Sequence, residues 1–269
     1  MFYKAREGKV IVNGTTMNYV EFGHGQKPFI ILPGLGDGLK TVRGQAITLA
    51  LYYRLFAQHF KVYIFSRKNV LEKGYTTKDM SKDLNIALEQ LGIKNSYVMG
   101  VSQGGMIAQH LAINYPKIVE KLIIGVSTSR ENEVIYNTVS RWIELAKSND
   151  YKTLIMDTFK KTYTPKTLKK YRILYPLISR MGKPKDFSRF LIQANACLTH
   201  NTYNELYKIK CSTLIIGGDS DKVVGNDASK EMAEKITESR LIIYNGLGHG
   251  AYEEAKDFNQ QVLDFLLND

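Results

Sequence analysis

The octapeptide Tyr97-Val-Met-Gly-Val-Ser-Gln-Gly104 constrains this chain more than any other segment. A short apolar run, read as the strand Tyr97–Val101, leads directly into Ser102, and a helical pattern from Gly104 to Asn114 begins directly after it. A strand that passes into a helix through one residue must hold that residue in a sparsely populated backbone conformation. Glycines at 100 and 104 leave space for the neighbours that such a turn crowds together. The serine hydroxyl is then presented at the C-terminal edge of a sheet, where open α/β sheets bind ligands. The helix that follows points its N-terminus, with its free N–H groups, at the same place. Gly-x-Ser-x-Gly on its own is a weak signal, and its setting decides what it means.

That setting is an alternation of apolar runs and helical patterns, the mark of an α/β architecture. Val10–Val12 and Thr16–Phe22 read as a hairpin turned at Asn13-Gly14. Phe29–Leu32 and Val62–Phe65 read as buried strands, with a helical stretch over about 42–59 between them. Thr77–Leu91 places Met80, Leu84, Ala87, Leu88 and Leu91 on one helical face, and Val119–Val126 reads as a further strand. The alternation stops from about Ser129 to Tyr207, which is helical and aromatic with no convincing buried strand. It resumes with the strand Ser212–Ile216, a helix near Ala228–Ile236, the strand Leu241–Tyr244 and a final helix over Tyr252–Leu267. The expected organisation is therefore a core formed by 1–128 and 208–269, with 129–207 as an inserted helical cap. The insertion lacks the Pro/Gly/Ser bias of a linker.

Composition excludes several classes. With 269 residues, 44% hydrophobic and 23% charged, the chain has the make-up of a soluble globular protein, and no stretch approaches a membrane span. The N-terminal Met-Phe-Tyr-Lys-Ala-Arg-Glu-Gly lacks an apolar h-region, so no secretory signal and a cytoplasmic location are expected. Cys197 and Cys211 are too few for a disulfide framework and lack metal-ligand spacing, and are read as free thiols. The formal net charge of +11 is concentrated: residues 141–190 hold thirteen Lys/Arg against four acids, a net +9. This reads either as a solvated basic face or as a field that attracts anionic substrates. No nucleic-acid-binding module is recognisable.

A serine hydroxyl needs a base to become a nucleophile. Of five histidines, His24, His59 and His110 are placed by their surroundings in packing or surface roles, and His200 falls in the insertion. His249 follows the strand Leu241–Tyr244 in the loop Gly246-Leu-Gly-His-Gly250, at the same sheet edge as Ser102. The imidazole needs an acid to fix its tautomer. The strand ending at Ile216 leads into Gly217-Gly-Asp-Ser-Asp221, which makes Asp221 the leading candidate, Asp219 its competitor and Glu131 and Glu133 remoter ones. Two backbone N–H groups should face the developing oxyanion: that of Gln103 and that of Leu35, in the Pro33-Gly-Leu-Gly36 loop after the strand Phe29–Leu32. The Gly34–Gly38 run is not a dinucleotide loop, because Leu39 stands where a glycine is needed and the next strand ends in Ser66-Arg67. Asp219-Ser-Asp221 begins like a calcium loop, but Val223 and Val224 occupy the next positions it needs. No cofactor and no metal are called for.

Taken together, the Pro33-Gly-Leu-Gly segment, Gly-Val-Ser102-Gln-Gly-Gly-Met-Ile-Ala, Gly-Gly-Asp-Ser-Asp221 and Gly-His249-Gly resemble the α/β-hydrolase superfamily, in particular its esterase/lactonase-like members with a helical cap. The resemblance implies an eight-stranded, mostly parallel sheet flanked by helices, with a cofactor-free acyl-enzyme mechanism on a small-molecule ester, thioester or lactone. Ser102 would be the nucleophile, His249 the base and Asp221 the orienting acid. Carbon–carbon bond hydrolysis, haloperoxidase activity and cyanohydrin lysis use the same three residue types, and a slow-turnover ligand receptor can keep them. Two positions depart from the pattern: Pro33 stands where relatives carry His, and only Arg67 remains of an Asp-x-Arg-Gly segment.

Overall fold

The computed structural model describes residues 2–172 and 182–268. Arg180, and the part of the expected cap at 173–181, lie outside the described residues. Eight strands form one sheet: β1 (Arg6–Val12), β2 (Thr15–Phe22), β3 (Pro28–Leu32), β4 (Lys61–Lys68), β5 (Ser96–Val101), β6 (Val119–Gly125), β7 (Ser212–Gly218) and β8 (Ser239–Tyr244). Their order is β1-β2-β4-β3-β5-β6-β7-β8. The β1–β2 and β2–β4 pairs are antiparallel and all others are parallel, as expected for a mostly parallel eight-stranded sheet. The β1–β2 hairpin turns at Asn13 and Gly14, both at positive φ (49° and 77°), which suits the twist of paired strands.

Period-two alternation along the central strands divides the core in two. Ile30, Leu32, Val98, Leu122, Ile124 and Ile215 face one side, where α3 (Thr77–Gln90) and α4 (Gln103–Asn114) cover them with Leu84, Leu88 and Leu111. Phe29, Ile31, Ile64, Met99, Ile123 and Ile216 face the other, against Phe56, Phe258, Val262 and Leu266. The helical stretch expected over 42–59 is two short helices, α1 (Ala46–Tyr52) and α2 (Arg54–Ala57), broken at Tyr53 (φ −98°, ψ 23°). The break turns Phe56 and Ala57 into the core.

The interrupted region holds α5 (Glu133–Lys147), α6 (Tyr151–Thr162), α7 (Pro165–Tyr171) and α8 (Ser188–Leu198). Trp142, Ile143, Leu154, Phe190 and Ala194 pack there into a third cluster, which also takes in Leu35, Met106, Val223 and Val224 from around the sheet edge. Its two ends meet. Arg130 and Asn201 form an isolated antiparallel bridge, and Thr202 N–H donates to Ser129 O at 2.7 Å. Gln109 of α4 joins both ends, donating to Thr128 O at 3.0 Å and accepting from Thr202 Oγ1 at 2.6 Å. By Leu206 and Ile209 the chain is back in the main core.

After β7, α9 (Ala228–Lys235) precedes β8. The final helix is divided as well, into α10 (Ala251–Glu254) and α11 (Phe258–Leu267). Ala255 is extended (φ −75°, ψ 120°), which lets the chain turn from the sheet edge onto the sheet face, where Phe258, Val262 and Leu266 are buried.

Gln109 is fully buried, so removing its side chain takes away the donor to Thr128 O and the shortest acceptor of Thr202 Oγ1, which keeps only its longer contacts to Ser129 O at 3.3 Å and to His200 Nε2 at 3.4 Å. Gln109→Ala is expected to lower unfolding free energy by about 1–3 kcal/mol. Urea denaturation followed by circular dichroism measures it.

Candidate active site

Ser102 stands between β5 and α4 at φ 55°, ψ −121°, a left-handed conformation that costs a non-glycine residue about 1–3 kcal/mol. The turn is held closed by its neighbours. A Cβ on Gly100 would lie 2.2 Å from Gly104 O, and one on Gly104 would lie 2.0 Å from Leu32 O. Ser102 N–H donates to Gly125 O at 2.9 Å, while Ser102 O accepts from Ser127 Oγ and from Gly105 N–H, each at 2.8 Å. The turn is therefore fixed by hydrogen bonds on both sides.

His249 Nε2 lies 2.9 Å from Ser102 Oγ, and its Nδ1 lies 2.9 Å from Asp221 Oδ2. The second carboxylate oxygen, Oδ1, accepts from the N–H groups of Val223 at 2.8 Å and Val224 at 3.0 Å. Both oxygens of this buried acid are thus engaged, and its position follows from the loop after β7. A carboxylate on Nδ1 keeps the proton there and leaves the Nε2 lone pair free to accept from the serine hydroxyl. Asp219 does not reach the imidazole. It is exposed, and its Oδ1 accepts from Gly246 N–H at 2.8 Å, closing the base of the histidine loop. Glu131 and Glu133 are exposed, Glu133 in the first turn of α5.

The other histidines are elsewhere. His24 and His59 are exposed beside Tyr3 and Phe60. His110 and His200 stack edge to face, 5.2 Å between centroids, in the buried seam between α4 and the end of the insertion. Burial pushes His110 down to about 4 and His200 well below the ordinary imidazole range.

Leu35 opens a 3₁₀ turn, Leu35–Gly38, and Gln103 opens α4, so the N–H of each has no partner within its own helix. Planar peptides fix where these groups point. Gly34 O, on the same peptide as Leu35 N–H, accepts from Asp37 N–H at 3.2 Å. Ser102 O, on the same peptide as Gln103 N–H, is held as described above. A Cβ on Gly34 would sit 3.3 Å from Ser102 Cβ, so the two segments adjoin at the serine.

A cavity of about 460 Å³ opens over Ser102 and His249. Leu49, Tyr52 and Tyr53 of the α1–α2 region, Trp142, Phe159 and Tyr163 of the insertion, and Tyr252 line it. Burial raises the phenols of Tyr53, Tyr163 and Tyr252, and pushes Tyr52 up to about 12, so the wall offers neutral hydroxyls at neutral pH. Tyr163 donates to Glu253. Among the described residues, Lys40 is the one Lys or Arg on the cavity wall, and no cation of the basic 141–190 window lines it. Most of those cations point outward: Lys152, Lys160, Lys166, Lys169, Lys170 and Arg172 are exposed.

Sequence reasoning missed a buried polar network beneath the site. Asp37 accepts from Arg189 of α8 at 2.5 Å, and Arg67 donates to Pro33 O at 2.6 Å and to Gln103 Oε1 at 3.1 Å. Its one visible signal was Arg67 itself, the remnant of the Asp-x-Arg-Gly segment.

The family profile described as alpha/beta hydrolase fold matches residues 27–256. The chain belongs to this family. Among curated relatives, it is 28% identical over 187 residues to a 2-hydroxy-6-oxononadienedioate/2-hydroxy-6-oxononatrienedioate hydrolase of a Pseudomonas species, a match covering 66% of this chain and 65% of the relative. It is 25% identical over 279 residues to the corresponding hydrolase 2 of Pseudomonas putida, covering 98% of this chain and 95% of the relative. Among solved structures, the alpha/beta hydrolase MGS-M2 from a deep-sea metagenome superposes with a TM-score of 0.85 at 20% identity, covering 97% of this chain and 98% of that one. The enol-lactonase of Burkholderia xenovorans LB400 gives 0.80 at 21% identity, covering 97% and 100%. These likenesses in structure show the fold. No described helix is long and apolar enough to cross a membrane.

The depressed His110 and His200 make the fold acid-sensitive. Both bind protons more readily when unfolded, so their stabilising contribution is complete above about pH 6.5 and falls as pH drops toward 4. His110 alone accounts for about 3 kcal/mol across that window. Urea midpoints between pH 7 and 4 should decline, and His110→Asn should flatten the decline; equal slopes in both proteins would contradict it.

Proposed function

We propose that this chain is a serine hydrolase acting on a carbonyl substrate through an acyl-enzyme on Ser102. The observation that carries this reading is the continuous chain of contacts from Ser102 Oγ to His249 Nε2 and from His249 Nδ1 to Asp221 Oδ2, each 2.9 Å. In this reading His249 takes the hydroxyl proton as Ser102 attacks, and returns it to the leaving group. The N–H groups of Leu35 and Gln103 stabilise the oxyanion. Water, activated by the same imidazole, then releases the acid and frees the serine.

The cavity wall favours a neutral acyl group of moderate size, apolar or aromatic, in a carboxylic ester, thioester or lactone. Residues 129–207 act as the cap in this account, since Trp142, Phe159 and Tyr163 supply the wall opposite the sheet. The exposed cations of the cap contribute only a long-range field, weakened by salt. Hydrolysis of a carbon–carbon bond is the second reading, favoured by the activities for which the Pseudomonas relatives are named. Lys40 alone offers little to a substrate with two carboxylates, so the ester reading leads.

A fluorophosphonate probe should label wild type at Ser102, and p-nitrophenyl esters should be turned over with a preference for uncharged acyl chains. Ser102→Ala should lose at least about 10⁴-fold in kcat, and Asp221→Asn a comparable amount. Rapid labelling without turnover on any ester or vinylogous diketone would favour a receptor. Unchanged turnover in Ser102→Ala would overturn the proposal.

A further inference from the structure

The polar network beneath the site joins both halves of the oxyanion pair through one guanidinium. Arg67 is 3% exposed. Its Nη2 donates at 2.6 Å to Pro33 O, two residues before Leu35, and at 3.1 Å to the side chain of Gln103. These are the two segments that carry the oxyanion N–H groups in the reading above, and they follow different strands. Between β3 and β5 no backbone hydrogen bond extends beyond the Leu32–Gly100 pair, so the spacing of the two loops needs another support.

The backbone of Arg67 is itself held from the insertion. Arg67 N–H donates to Asp37 Oδ2 at 3.2 Å, and the same oxygen accepts from Arg189 Nη2 at 2.5 Å and from Gln193 Nε2 at 3.3 Å. Arg189 also donates to Arg67 O at 3.0 Å, and Gln103 Nε2 donates to Gln193 O at 2.7 Å. Arg189 and Gln193 are one turn apart on α8. The helix sits so close that a Cβ on Gly38 would meet Phe190 Cα at 2.8 Å. Asp37 N–H, by holding Gly34 O, aims the Leu35 N–H.

We propose that Arg67 is a positioning residue that sets the separation of the Leu35 and Gln103 N–H groups, and that Asp37 and α8 anchor it. Docking of the insertion and stabilisation of the oxyanion are then one coupled arrangement. This rests on the serine-hydrolase reading above. An Arg is needed because Nη2, one bond farther from the backbone than a lysine ammonium, reaches both acceptors; a lysine keeps the charge beside Asp37 but is shorter and loses the planar guanidinium.

The test compares wild type, Arg67→Lys and Gln103→Leu, the last keeping the backbone N–H while removing the side chain that Arg67 holds. For each, kcat and KM on a p-nitrophenyl ester are measured with the affinities of an alkyl boronic acid, which forms a tetrahedral adduct, and of the product carboxylic acid. Thermal melts establish folding. The expected result is a fall in kcat of about 10- to 100-fold, with boronate affinity falling in step and with KM and product affinity within about twofold of wild type. If Arg67→Lys does not fold, Gln103→Leu alone carries the comparison. A folded variant with unchanged kcat and boronate affinity overturns the proposal, as does an equal loss of boronate and product affinity. Ser102→Ala run alongside separates the two claims: residual full turnover there defeats the hydrolase reading itself, whatever Arg67 does.

Discussion

Everything at this site depends on a backbone that would not hold its conformation alone. Ser102 at φ 55° is strained, and the strain persists because the surroundings leave the turn no alternative. Gly100 lies against the Gly104 carbonyl and Gly104 against the Leu32 carbonyl, each too closely for any side chain, and the serine carbonyl is bonded to Ser127 and Gly105. The consequence is chemical. The hydroxyl is lifted from the sheet edge toward His249. In the proposed reading, the nucleophile and one of the two oxyanion N–H groups arise from this single turn.

The rest of the arrangement is brought to that turn by neighbouring strand ends. β3 delivers the loop with Leu35, β7 the loop with Asp221 and β8 the loop with His249, all at one edge because the strands run parallel. The insertion then packs on residues adjacent to each of these: Leu35 itself, Met106 of α4 and Val223 and Val224 beside Asp221. It also bonds to the histidine loop, through Gly250 N–H to Thr162 O at 2.7 Å. An insertion bonded or packed against each of these loops couples its own packing to theirs, which gives the buried network of Asp37, Arg67 and Arg189 its importance.

Much of this was legible from residue order alone, for physical reasons. Period-two apolar runs and glycine punctuation identify the strands of a parallel sheet, and chemistry-bearing residues just past their ends must share an edge. Ser102, Asp221 and His249 could be placed together on that basis, and Leu35 and Gln103 with them. Tyr53 and Ala255, where helices break, were not legible, since the breaks answer to burial of Phe56 and Phe258 in the assembled core. Nor was the Asp37–Arg189 pair, whose members are 152 positions apart and meet only through the packing of α8. The basic window was visible as charge, but which way its side chains point depends on helix faces within the insertion. Most of its described cations face solvent while Arg189 turns inward to Asp37, and aromatic residues form much of the cavity wall.

The central claim is that Ser102 becomes covalently acylated during turnover. Acid-quenching the reaction with a slow-leaving ester in the pre-steady state, followed by intact-mass and peptide mass spectrometry, tests it most directly. The account predicts an added mass equal to the acyl group on the peptide carrying Ser102, appearing before steady state and lost on continued incubation. Product formation with no acyl mass on that peptide, or acylation at another residue that keeps pace with turnover, would contradict it.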